Sequence, residues 1–361
     1  MNNTGSLRVV QKSAELEHLG SIDATAGDAF PSVLQTTRVF PVHPTWNDPN
    51  HNGLLVSSQT GTTYIRLSAD GVQVVNDRSN PFILDEPTLT AGNLKSDAYD
   101  DLVVQITPSA ALLVELGRGK VVQKYEAGVA LDMAAISGTV FLAARKDGSL
   151  WYGYVQVKNS RPELVVRYAR TFQFCVILLK HTSDIPANKL KDANGRNKLV
   201  SGFQISAICV DNWRGRKSAS QQFVIAHWGP EHRITVYDFT KAHESGLSAE
   251  AARLLRISLP AQVCSMVWTD FGQGRKHGHL LAGCIDGTVV VQRFSEEYVL
   301  DGSARTLGLG SLPIRLTRDG DRVLACGSSA VVLYWEGNRL QQSSIALKVR
   351  RSAYAVTCAQ F

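Results

Sequence analysis

The chain has 361 residues, of which 44% are apolar and 19% charged, with a net charge of +6. That apolar share can fill a large core and excludes disorder as a class, and no run approaches the roughly 18 uninterrupted apolar residues of a membrane-spanning helix. The 38 basic residues exceed the 32 acidic ones only slightly and are spread along the chain, so direct nucleic-acid binding is not expected. The first residues, Met1 to Ser6, lack the basic-then-apolar pattern of a secretory signal. A soluble, intracellular protein is the expectation.

In chain order the signal is of short β-branched runs punctuated by turn residues. Gly53–Ser58, Thr62–Leu67, Leu102–Thr107, Ala110–Glu115, Thr139–Ala144 and Leu150–Val157 read as strands. Phe223–Trp228, Ile234–Phe239, Leu280–Ile285, Thr288–Phe294, Arg322–Gly327 and Val331–Trp335 follow. Asp-Gly pairs at 70–71, 147–148, 286–287, 301–302 and 319–320 suit tight hairpin turns, because Gly accepts positive φ. Two stretches break the rhythm. Residues 182–200 are polar and turn-rich and read as a surface loop, and Ser248–Leu255 reads as a short capped helix.

The hairpins resemble one another. The runs beginning at Val56, Phe141, Val224, Leu280 and Val323 share an apolar, small, turn, apolar order, and start about 85, 83, 56 and 43 residues apart. Two of these gaps equal one unit of roughly 40–55 residues and two equal twice that, which is the spacing of β-propeller blades. The small residues Ala143, Ala226, Ala282 and Ala325 fit second strands crowded by neighbouring blades. The fold expected is all-β: one seven-bladed propeller of divergent, non-WD repeats over residues 1–361.

Catalytic and metal patterns are absent. There is no GxSxG, HExxH or P-loop. His277 with His279, and His227 with His232, are the closest histidine pairs, and no Cys, Asp or Glu joins them at ligand spacing. The expectation is therefore no metal, no cofactor and no enzyme. The six cysteines form no CxxC pair and mostly lie in apolar runs, as buried reduced thiols would. Trp151, Trp268 and Trp335 suit packing between blades. Trp228 differs: it ends an apolar run and precedes Gly229-Pro230, a position fit for an exposed aromatic hot spot on a rim.

Four segments together resemble the second β-propeller of the large subunit of damaged-DNA-binding protein, the adaptor of cullin-4 ubiquitin ligases. They are Gly5–Val10 with His18–Asp23; Thr88–Leu94 with Leu102–Thr107; Gln204–Val210 with Phe223–Trp228; and Leu281–Gly287 with Leu309–Leu316. The same superfamily holds the large subunit of the cleavage-and-polyadenylation factor and a propeller subunit of splicing factor three-b. The resemblance implies a non-enzymatic module, nuclear and also cytoplasmic, that docks a cullin-4-type scaffold and other ubiquitin-ligase subunits in DNA repair or chromatin. It further implies one propeller of a longer protein. Trp228 would be the apolar anchor, with His232 and Arg233 as polar neighbours. The sequence departs from the adaptor at the 173–200 insertion and at Gly229-Pro230-Glu231. Two alternatives stand: a scaffold propeller of a splicing or polyadenylation complex, and a propeller enzyme or small-ligand binder.

Overall fold

In the computed structural model the described residues are 6–11, 17–23, 36–42, 53–68, 71–75, 80–93, 102–128, 130–137, 140–145, 150–159, 161–169, 205–210, 222–227, 232–238, 253–272, 277–319, 321–336 and 339–344. A two-stranded sheet of β1 (Ser6–Gln11) and β2 (Glu17–Asp23) comes first. The first blade is β3 (Thr36–Val42), β4 (Gly53–Ser58), β5 (Thr62–Ser68) and β6 (Gly71–Val75). The second is β7 (Thr90–Asn93), β8 (Leu102–Ile106), β9 (Ala110–Glu115) and β10 (Lys120–Glu126). The third is β11 (Met133–Ser137), β12 (Val140–Ala144), β13 (Leu150–Lys158) and β14 (Arg161–Ala169). The fourth is β15 (Ile205–Val210), β16 (Gln222–His227), β17 (Arg233–Asp238) and β18 (Arg253–Ser258). The fifth is β19 (Val263–Thr269), β20 (His277–Cys284), β21 (Thr288–Ser295) and β22 (Arg305–Gly308). The sixth is β23 (Arg315–Asp319), β24 (Arg322–Cys326), β25 (Ala330–Glu336) and β26 (Arg339–Ser344).

Every blade is an antiparallel meander, and the first strands of successive blades lie side by side, which is the arrangement of a β-propeller. Among the described residues there are six four-stranded blades, not the seven expected. Dividing 361 residues by roughly 50 per blade gives seven, and the 83 residues from Phe141 to Val224 suggest two units, yet β12 and β16 belong to successive blades whose first strands β11 and β15 are in contact.

The apolar core is a set of layers between blades rather than one central mass. Val42, Leu55, Tyr64, Val103 and Leu112 fill the joint of the first and second blades. Trp151, Phe141, Ala143 and Ile106 fill the next. Trp268, Phe294, Ala226 and Ala282 fill the joint of the fourth and fifth, and Leu281, Ala325 and Ile314 that of the fifth and sixth. The four alanines of the second strands are buried there, as their small size predicts. Trp151 and Trp268 are buried, and Trp335 is half-buried against the last layer.

Polar clips cross the same joints. The amide of Gln105 serves as a backbone surrogate for the link into the second blade: its Oε1 accepts from Ile83 N–H at 2.9 Å and its Nε2 donates to Ile83 O at 2.8 Å. Gln123 pairs in the same way with Leu164 on β14, joining outer strands of two blades. The helix expected over Ser248–Leu255 is overturned where it can be tested. Arg253–Ser258 is β18, drawn into the sheet by pairing with β17, and residues 248–252 lie outside the described residues.

Candidate protein-docking face

Antiparallel order fixes which loops share a face. In each blade the turn between the second and third strands lies at the same end as the link from the fourth strand to the next blade. Trp228 lies outside the described residues, between β16 and His232. His232 and Arg233 are described, and they stand at that turn in the fourth blade. His232 adopts a left-handed φ of 41°, a strained choice for a non-glycine residue. Its carbonyl accepts from Leu259 N–H at 2.9 Å, tying the turn to the link into the fifth blade, and its buried Nδ1 has no hydrogen-bond partner. Arg233 is half-buried and pairs in register with Ser258. Ala169 and Ile205, which border the 173–200 insertion, pair with Leu150 and His227 and so sit at this face as well.

The face continues as a hydrogen-bonded strip. Gln262 O accepts from Ile285 N–H at 2.9 Å, and Gln262 Nε2 donates to Ser206 Oγ at 2.8 Å. Cys284 O accepts from Ile314 N–H at 3.0 Å, and Gly287 O from Leu309 N–H at 2.9 Å. Gly287, at φ 87°, packs so closely under the Gly310 carbonyl that a Cβ would collide with it. Two apolar side chains, Ile285 (40%) and Leu312 (41%), stand exposed on this otherwise rigid strip. Sequence patterning reads Ile285 as the end of the Leu280–Ile285 strand, whereas β20 stops at Cys284 and leaves Ile285 in the turn.

At the first strands the face carries charge. Arg38 of β3 donates from Nη1 to Leu89 O at 2.6 Å, and Arg315 of β23 donates from Nη1 to Cys264 O at 3.3 Å. Burial, with the Arg315 charge adding to it, holds Arg38 down at about 10. The half-buried Cys264 thiol points to the carbonyls of Gly283 (3.4 Å) and Ile314 (3.2 Å), and burial raises it; Cys284 is pushed up to about 11 by burial. These are thiols held protonated, unsuited to nucleophilic work at neutral pH. Cys209, Cys284 and Cys326 are buried, as their apolar runs foretold, while Cys175 and Cys358 lie outside the described residues.

The pair His277 and His279, at the start of β20, belongs to the opposite end. His277 Nδ1 lies 3.4 Å from Asp301, which also takes Arg293 at 3.0 Å. His279 is 1% exposed, wedged between the rings of Phe271 and Trp335 at 5.2 and 4.7 Å, with neither ring nitrogen hydrogen-bonded. Burial first, then the Arg293 charge, lowers its pKa to about 4. It packs as an aromatic side chain. Among the described residues no group of three His, Cys, Asp or Glu is placed to hold a metal ion.

A family model described as the RSE1/DDB1/CPSF1 second beta-propeller matches residues 29–361, nearly the whole chain and every four-stranded blade of the fold. The chain belongs to this family. Within it, the chain is similar to the pre-mRNA-splicing factor RSE1 of Kluyveromyces lactis, 28% identical over 168 residues, which is 45% of this chain and 12% of that protein. The match thus spans a small part of its relative's length. Membership of the RSE1/DDB1/CPSF1 propeller family fits a protein-interaction scaffold, and it does not separate the cullin-adaptor branch from the RNA-processing branches.

Proposed function

We propose that this propeller is a non-enzymatic docking ring, nuclear in location, which holds a partner protein on the face built from the turns between second and third strands. The observation that carries this reading is the strip from His232 to Leu312. Backbone hydrogen bonds fix its loops, strain is stored at His232, and Ile285 and Leu312 are left exposed. A rigid, partly apolar, loop-built surface binds without a large ordering cost. Trp228 is the proposed anchor, with His232 and Arg233 as polar neighbours.

Two partners are proposed. The Trp228 segment and the four family-like segments favour the N-terminal region of a cullin-4-type scaffold, within a ubiquitin ligase of DNA repair or chromatin. The similarity to the splicing factor RSE1 favours a multi-subunit RNA-processing assembly. Purifying the protein from its own cells and identifying what accompanies it separates the two: cullin and ligase subunits, or splicing and polyadenylation subunits. Under either, Trp228→Ala is expected to leave the fold intact and weaken the identified complex by about 2 kcal/mol, as truncation of an aromatic hot spot does. An unchanged affinity in calorimetric titration removes Trp228 from the site.

A further inference from the structure

The fifth and sixth blades differ in polarity from one end to the other. At the end opposite the docking face they are laced by charge: Asp301 lies 3.0 Å from Arg293 and 3.4 Å from His277, and Asp270 lies 3.7 Å from Arg318. At the docking face the links 258–262 and 308–314 and the turn 327–329 hold no Asp, Glu, Lys, Arg or His, in a chain that is 19% charged. The turn 285–287 holds one, Asp286, whose carboxylate is folded back onto the Thr288 N–H and hydroxyl at 3.0 and 2.7 Å. Arg315, the next charge along the chain, donates to Cys264 O on β19. Depletion of charge marks the core of a protein interface rather than ordinary surface.

These segments lie side by side. Ile285 N–H donates to Gln262 O on one flank, and Ile314 N–H donates to Cys284 O on the other, at 2.9 and 3.0 Å. Exposed Pro260, Ile285, Leu312 and Pro313 therefore form an apolar row across two links and the turn between them. The row is held in place. Gly310 takes φ 138°, open to glycine alone, and a Cβ there would run into the Ser328 side chain, whose hydroxyl also accepts from Ser311 N–H at 3.2 Å. An extended peptide adds to a chain through every second main-chain N–H. Along this link Leu309 and Ser311 have donated theirs and Pro313 has none, while Ile314 closes the alternate row. What remains on offer is apolar side-chain area.

We infer that this row receives the uncharged apolar stripe of an amphipathic α-helix of the docked partner, with Leu312 seated among its side chains. The inference rests on the docking-face reading and adds the chemistry of what docks. A helix satisfies its own main chain and asks for no donor from the surface it meets. Its apolar residues at i, i+3, i+4 and i+7 make a narrow stripe, which matches a row. An extended strand would need the donors that this link has already spent. A strongly charged segment would find no opposite charge in the row to set against its desolvation.

The test uses the complex that accompanies the protein from its own cells, with Leu312 or, separately, Ile285 replaced by a benzophenone-bearing photo-crosslinking amino acid. Crosslinks mapped by mass spectrometry are expected on apolar partner residues three or four apart in sequence. Crosslinks on residues two apart, as along a strand, overturn the helix. Crosslinks confined to this chain's own residues overturn it as well, since the chain would then cover the row itself. Leu312→Asp and Leu312→Lys should each weaken the complex by at least about ten-fold, because either charge would be buried without a partner. Leu312→Met should keep most of the affinity, and all three variants should keep the thermal midpoint, since Leu312 is exposed. Wild-type affinity in Leu312→Asp or Leu312→Lys overturns the uncharged stripe. Partner crosslinks two residues apart reject the helix and leave the docking face standing, whereas no partner crosslink from either position, with unchanged affinity in Trp228→Ala, rejects the docking face itself.

Discussion

Replacing Gln105 by Ala should cost about 3–4 kcal/mol of stability. The side chain is 0% exposed, and its amide satisfies three groups at once: Ile83 N–H, Ile83 O and the Thr88 hydroxyl, the last at 2.8 Å. A buried polar group left unpaired costs roughly 1–3 kcal/mol. Thr88 keeps Thr62 Oγ1 at 2.8 Å, and Ile83 is only half-buried, so each loss falls in the lower part of that range. Against a total of about 5–15 kcal/mol the change is large. Urea unfolding should show a lower midpoint with the slope kept, because the surface exposed on unfolding is nearly the same. Native-state hydrogen exchange should show the Ile83 amide losing protection first, since the 80–88 link is released before the blades open. A loss below about 1 kcal/mol with Ile83 still protected would refute the view that one amide ties this link down.

Two further outcomes follow from buried packing. His279 has a folded pKa of about 4 against an ordinary 6.5, so only the unfolded chain takes up its proton between those values. The groups that set this value are Arg293, His277, Asp301 and Arg305, and burial dominates them. Its contribution is complete above pH 6.5 and declines as the pH falls toward 4, by at most about 3 kcal/mol; His279→Phe should flatten this part of the stability profile, and an unchanged slope in pH-dependent urea melts counts against it. Gly153 faces Phe141 across β12 and β13, and a Cβ there would run into the ring and lie 2.8 Å from Val165 O. Phe141 is 0% exposed and has no room to yield, so Gly153→Ala should destabilise by about 1–3 kcal/mol, as overpacking does. A double variant with Phe141→Leu should recover part of the loss in thermal unfolding.

The strands legible in the sequence were almost all second and third strands. Gly53–Ser58 and Ala110–Glu115 coincide with β4 and β9, and Leu102–Thr107 and Thr139–Ala144 differ from β8 and β12 by one residue each. Middle strands are covered on both faces by neighbouring blades, so they read as continuous apolar runs. β10 and β26 are fourth strands, largely exposed, and carry Lys120, Lys124, Glu126, Arg339 and Gln341 instead. Their strand character comes from the edge they pair with, and no local pattern announces it. The same holds for Arg253–Ser258, where helix-favouring Leu and Arg residues were overruled by pairing with β17.

The site was legible to a lesser degree. The turn after β16 stood out because Trp228 follows an apolar run, and the structure adds the tie from His232 to Leu259. Ile285 reads as the end of a strand, and Leu312 has no signal of its own. They stand 27 residues apart in the chain, and the hydrogen bond from Ile314 N–H to Cys284 O brings their segments together.

Local spacing by itself determined that this protein is a series of short antiparallel hairpins, because alternating burial and turn chemistry act over a few residues. Blade number and the composition of the docking face were decided only by tertiary structure. Repeats 83 residues apart along the chain read as two units, and only the contact of β11 with β15 makes their blades neighbours.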